Sequence, residues 1–251
     1  MKKIFVSVLM VFSIVACSSS LDTSEMSMDE HFNYAKGLFD DEDYLTALNE
    51  FQAILLQYPG SAINDDAQYY LGMTYFERGE YILAAYEYSK LIRDIPASEH
   101  VPKAQFMLAE SYYQLSPPYQ LDQKYSKKAI EEFQAFIDFF PSNEKVDEAD
   151  KKINELYTKL AEKEFSNAYI YEKMEYLYAA LKYYTMVAET YHDTQFAEEA
   201  LYKKITIEAV KKMDVEAAKD IKRFLELYPE SEFSKEILDI KVSINNNESK
   251  D

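Results

Sequence analysis

The 251-residue sequence predicts an all-α fold, a right-handed superhelical solenoid of about five helix-turn-helix units. One frame recurs: an Ala, an aromatic ring four residues on and a Pro eight beyond that. It reads Ala47, Phe51 and Pro59, then Ala84, Tyr88 and Pro96, then Ala129, Phe133 and Pro141. Upstream of the first two frame alanines, Ala35 and Gly72 stand in similar bulky surroundings. Small residues recur where helices cross closely, and bulky ones fill the space beside them. No useful alternation of apolar and polar residues argues for a strand.

In chain order, the first unit pairs a helix around Tyr34, Ala35 and Leu38 with one around Ala47 and Phe51. The second repeats it with Leu71, Gly72 and Tyr75, then Ala84 and Tyr88. The 37-residue step from Pro59 to Pro96 is close to the roughly 34 residues of a tetratricopeptide repeat. In the third unit Leu108, Ala109 and Tyr112 keep the first-helix signature, but Ser116 to Gln123 delays Ala129. Pro117-Pro118 stops a helix, which predicts an insertion between the paired helices. Ala180, Tyr184 and His192 mark the fourth unit, and Ala217, Ile221 and Pro229 the fifth. Pro ends one helix, and Ser or Thr after it can cap the next. The longer step from Pro141 to His192 predicts an extended helix over 147–163, where an N-terminal half (28–146) meets a C-terminal half (147–241). Residues 242–251 read as a frayed, disordered tail.

The N-terminus reads as a signal peptide over 1–16: Met1-Lys2-Lys3, then an apolar Ile4 to Val15 broken by Ser7 and Ser13. That stretch is shorter than the roughly 18 residues a spanning helix needs. Ile14-Val15-Ala16-Cys17 resembles the lipobox of bacterial lipoproteins, which implies that Cys17, the only cysteine, is lipidated and becomes the mature N-terminus. The alternative is an ordinary secretory signal with an incidental Cys. Residues 17–27 are Ser-rich and read as a flexible tether. Loss of Lys2 and Lys3 would move the formal charge from −18 to −20. So acidic a surface repels nucleic acid and anionic headgroups. Membrane attachment then depends on acyl chains, each buried CH₂ contributing roughly 0.8 kcal/mol.

Lipobox, repeat number and two segments together resemble the BamD family, the lipoprotein subunit of the outer-membrane β-barrel assembly machine. The segments are the third unit, with Leu121-Asp122-Gln123, Ala129 to Ile137 and Pro141-Ser142, and Tyr176 to Tyr184 in the fourth. The resemblance implies a non-enzymatic adaptor without cofactor, held by lipid on the inner face of the outer membrane. Its implied partners are the periplasmic domains of the barrel-forming subunit, unfolded outer-membrane proteins and other accessory lipoproteins. Ser18-Ser19-Ser20-Leu21, where surface-exported lipoproteins carry acids, favours the periplasmic face. The rival reading is a repeat lipoprotein serving as a pilus or secretin pilotin, or as a cell-envelope scaffold.

Helical spacing marks two candidate binding surfaces. Phe32 and Phe39, Tyr69 and Phe76, and Phe106 and Tyr113 are seven apart within each first helix, on a face other than that of His31, Ala35 and Leu38. Placed together they would form an aromatic groove for an extended peptide rich in aromatics; otherwise the rings pack against the insertion, the tether or the next unit. The second surface is basic: Lys203, Lys204, Lys211, Lys212, Lys219, Lys222 and Arg223, read as a dock for an acidic patch on the barrel subunit or as solvated surface.

Chemistry finds little support. The three His form no His-Glu-x-x-His helix, no phosphate loop or nucleophile elbow is present, and no metal site is expected. Asp40-Asp41-Glu42-Asp43 lacks the Gly and closing Glu of a calcium loop and reads as a solvated turn.

Overall fold

A computed structural model describes residues 23–248; Cys17 and the signal segment lie outside them. The described residues form α1 (Met28–Asp40), α2 (Tyr44–Gln57), α3 (Asn64–Glu77), α4 (Tyr81–Asp94), α5 (Val101–Gln114), α6 (Lys124–Phe139), α7 (Val146–Lys173), α8 (Leu177–Thr190), α9 (Ala197–Val210), α10 (Asp214–Leu227) and α11 (Ser234–Glu248), with no strand among them. Each helix packs on its neighbour in sequence. α1 also touches α3, and α9 touches α11, as in a solenoid of stacked hairpins.

The frame residues are what this stacking buries. Ala47, Phe51, Ala84, Tyr88, Ala129, Phe133, Ala180, Tyr184 and Ala217 are fully enclosed, and Ile221 nearly so. At the small-residue position the fit is tight: a Cβ on Gly72 would lie 2.7 Å from the Tyr88 ring.

Local chemistry sets the helix ends. Ser27 and Glu30 form a capping box at α1, with Glu30 Oε2 accepting from the Ser27 N–H at 2.9 Å. Asp43 caps α2 by accepting from the Thr46 N–H. The turn inside a unit is itself a repeat. Glu42, Gly79, Glu175 and Lys212 all adopt positive φ between 58° and 74°. The N–H after each bonds a carbonyl one turn back in the first helix, as Asp43 does to Leu38 at 2.9 Å. This is the Schellman stop, and it explains Asp40 to Asp43 as a helix end.

The third-unit insertion is strapped to α7. Lys163 Nζ donates to the Leu121 carbonyl at 2.7 Å, and Lys159 Nζ to Ser116 Oγ at 2.7 Å. Gln123, buried beneath, donates to the carbonyls of Pro118 and Leu121. α7 exceeds the expected extended helix at both ends. Its first half packs with α5 and α6 through Ile153, Leu156 and Leu160, and its second half joins the α8 to α11 core through Ala161 and Ala168.

Two expected segments differ. Residues 242–248, read as a frayed tail, continue α11, because Ile237 and Ile244 share one buried helix face. Within 17–27, Thr23–Glu25 form a 3-10 turn and Ser27 a cap.

Candidate functional site

The six rings of the expected groove do not share one open surface. Phe32 and Phe39 both meet Tyr70 edge-on, at 5.7 and 5.6 Å, and Tyr70 stacks on Phe51. Phe76 meets Tyr81 at 5.1 Å. Phe106 is only 4% exposed, wedged against Phe133 and Phe136. Tyr113 donates to Glu155 at 2.6 Å beneath the Lys152 ammonium, and that carboxylate, together with burial, pushes its phenol up to about 12. Rings at seven-residue spacing thus pack within units, as Phe76 and Phe106 do, as well as at the joints between them, and the hub of the first joint, Tyr70, falls outside that spacing.

Two of the six do converge on a cleft. Tyr69 and Phe106, with Pro102, Met107 and Phe136, line an opening of about 210 Å³ between α3, α5 and the α6–α7 loop. Lys103, Glu144 and Lys145 stand at its rim, with Lys145 Nζ 4.5 Å from the Phe106 ring. The Tyr69 ring is held flat on His100 at 4.6 Å, and His100 Nε2 bonds Asp66 at 2.6 Å. An apolar floor beside the exposed Lys103 suits an apolar or aromatic side chain next to an acidic group, while the Lys145 ammonium is already paired with Glu148 at 2.9 Å.

The basic cluster is dispersed by the fold. Lys204 is not on the surface: it is buried between Asp220 at 2.5 Å, Glu189 at 3.6 Å and Glu208 at 3.8 Å. Arg223 is engaged within the chain, with Nη1 on Glu189 at 2.8 Å and Nη2 on the Ala188 carbonyl. Lys203 pairs with Glu172, and Lys222 with Glu226 on its own helix. Lys211 lies over the Tyr178 ring at 5.1 Å, while Lys212 and Lys219 are exposed. A charge run in sequence carries no information on which members the next helix will cover, and α10 covers Lys204.

A polar tie missed in the sequence lies in the same frame. The residue three after the frame Ala is acidic in four units, and each acid meets a first-helix partner: Glu50 with His31, Glu87 with Gln68, Glu132 with Gln105, and Asp220 with Lys204. In the fourth unit Tyr183 takes this place and stacks on Tyr171. Among the described residues no group of three or more His, Cys, Asp or Glu side chains could hold a metal ion. None of their helices is long and apolar enough to cross a membrane.

The sequence pattern of a family described as "YfiO: Outer membrane lipoprotein" matches residues 24–222. No curated protein matches the chain. Similar solved structures include a tetratricopeptide repeat protein from Parabacteroides merdae, 12% identical over 86% of this chain and 72% of that one, with a TM-score of 0.38. Another is a tetratricopeptide protein from Thermus thermophilus, 17% identical over 88% of this chain and 98% of that one, with a TM-score of 0.37.

Proposed function

This chain belongs to the YfiO family of outer membrane lipoproteins, and from that premise we propose that it is the BamD-type adaptor of the β-barrel assembly machine. It is a non-enzymatic subunit held through lipid on Cys17 at the periplasmic face. It binds the periplasmic domains of the barrel-forming subunit and helps receive unfolded outer-membrane proteins. The family match carries this reading. The stacked hairpins support it, since solenoids of this kind present extended surfaces for protein recognition. Pull-down with the tagged protein from detergent-solubilised outer membranes tests it. Recovery of the barrel-forming subunit is expected; recovery of a secretin or of wall-linked proteins in its place would favour the pilotin or scaffold reading and remove this one.

The cleft at Tyr69 and Phe106 is the place proposed for an aromatic side chain of an unfolded barrel strand, since such strands carry girdles of aromatic residues. Lys103 is exposed, so Lys103→Glu changes the charge of the rim without touching the packed floor. Affinity for an aromatic, acidic barrel peptide should fall about tenfold, or about 1.4 kcal/mol. Unchanged affinity by fluorescence titration would remove the cleft from the site.

A further inference from the structure

The fifth unit departs from the other four at one enclosed position. The first-helix place held by Leu38, Tyr75 and Tyr112, and by Tyr171 in the fourth unit, holds Glu208 in the fifth. A carboxyl thus stands where the repeat otherwise packs a bulky side chain. Glu208 is 2% exposed, beside Asp220 of α10 at 4% and Lys204 one turn earlier on α9 at 9%. Lys204 Nζ lies 2.5 Å from Asp220 and 3.8 Å from Glu208 Oε1, and Glu208 Oε2 meets no donor among the described residues.

The charges around this carboxyl do not balance. α8 contributes Glu189, 3.6 Å from Lys204 and already paired with Arg223 of α10 at 2.8 Å. α10 supplies Asp220, whereas its Glu216, Lys219 and Lys222 are exposed. At the end of α9, Lys211 lies over the Tyr178 ring and Lys212 is exposed. α11 turns Ile237 and Ile244 inward; its Glu236 accepts from Tyr202, and Asp239 and Lys241 are exposed. One enclosed ammonium therefore serves two enclosed carboxylates. A buried charge without a partner is strongly disfavoured, and a proton on Glu208 removes it.

We infer that the α9–α10 joint is a proton-operated latch: the α10–α11 hairpin stays closed on α9 while Glu208 is protonated and opens locally once it is charged. The hairpin ends the described solenoid, so it can open without unfolding the units before it. The ties of the first three units hold a single carboxylate each, Glu50 with His31, Glu87 with Gln68 and Glu132 with Gln105. Burial and the neighbouring Asp220, opposed by Lys204, raise the Glu208 carboxyl from 4.5 to about 7. Its contribution to closure is complete below about pH 4.5 and is lost as pH rises through about 7.

Hydrogen exchange of the full-length protein, corrected for the intrinsic effect of pH and resolved by helix, tests the latch. Between about pH 5.5 and about pH 8.5, α10 should lose about thirtyfold in protection, the change that a carboxyl raised from 4.5 to about 7 produces. α6, whose Glu132 is tied to an amide, should change little. Glu208→Gln keeps the size and removes the charge, so α10 should then be equally protected at both pH values. Glu208→Leu, which restores the residue of the first unit, serves as the second variant and should behave alike. Equal protection of α10 at the two pH values in the parent would overturn the inference. So would a loss shared equally by α6, which would mark global destabilisation, or a response that survives both substitutions, which would assign the proton to another group.

Discussion

Gly72 lies where α3 crosses α4, and the ring of Tyr88 fills the space any side chain would need. That ring is fully buried, so it has no room to withdraw. Gly72→Ala is therefore expected to destabilise by about 1–3 kcal/mol through overpacking, outweighing the ~1 kcal/mol that Ala gains in a helix interior. A lowered urea midpoint at unchanged slope would show it. Glu208 makes a second residue-scale case. Burial, reinforced by Asp220 beside it and opposed by Lys204, raises its carboxyl from 4.5 to about 7. The folded state holds that proton more tightly than the unfolded chain does. The resulting stabilisation is complete below about pH 4.5 and is lost as pH rises through about 7. Glu208→Gln should flatten this part of the profile and melt higher than the parent above the window; parallel thermal melts on either side of it provide the check.

Among the helices, the frame was legible because its demands are steric. Only Ala or Gly admits a close crossing, only a ring or a branched chain fills the space beside it, and Pro stops the helix. The positive-φ turns were hidden because Glu42, Glu175 and Lys212 carry no glycine signal; only Gly79 does. The surrounding carbonyls impose that backbone on residues that resist it. Glu42→Gly is thus expected to stabilise by about 1 kcal/mol, since the left-handed conformation costs an L-residue about 1–2 kcal/mol. A raised melting temperature with unchanged helicity would confirm it, and a lowered one would show that the Glu42 side chain contributes more than its backbone costs. The candidate surfaces were less legible than the helices. Seven-residue spacing identifies a face of one helix, but Phe106 and Lys204 are covered by residues of other helices, and sequence periodicity within one element does not contain that information.

Across the whole molecule, buried side chains fall into three successive clusters: one over α1 to α5, a second over α5 to α7, and a third over α7 to α11. α7 joins the last two, packing Ile153, Leu156 and Leu160 into the second cluster and Ala161 and Ala168 into the third along one continuous helix. Stability in such an array is a sum of unit and neighbour terms. Damage should then remain near its source. Phe51 lies at the centre of the first cluster, stacked on Tyr70 and beside Phe32. Phe51→Ala is expected to cost about 3–5 kcal/mol, concentrated in α1 to α4. Native-state hydrogen exchange should accelerate in those helices while α8 to α10 keep their protection, because no Phe51 contact reaches the third cluster. Uniform acceleration from α1 to α11 would mean that α7 transmits folding as one cooperative unit, and the two ends of the described solenoid would then share a single stability.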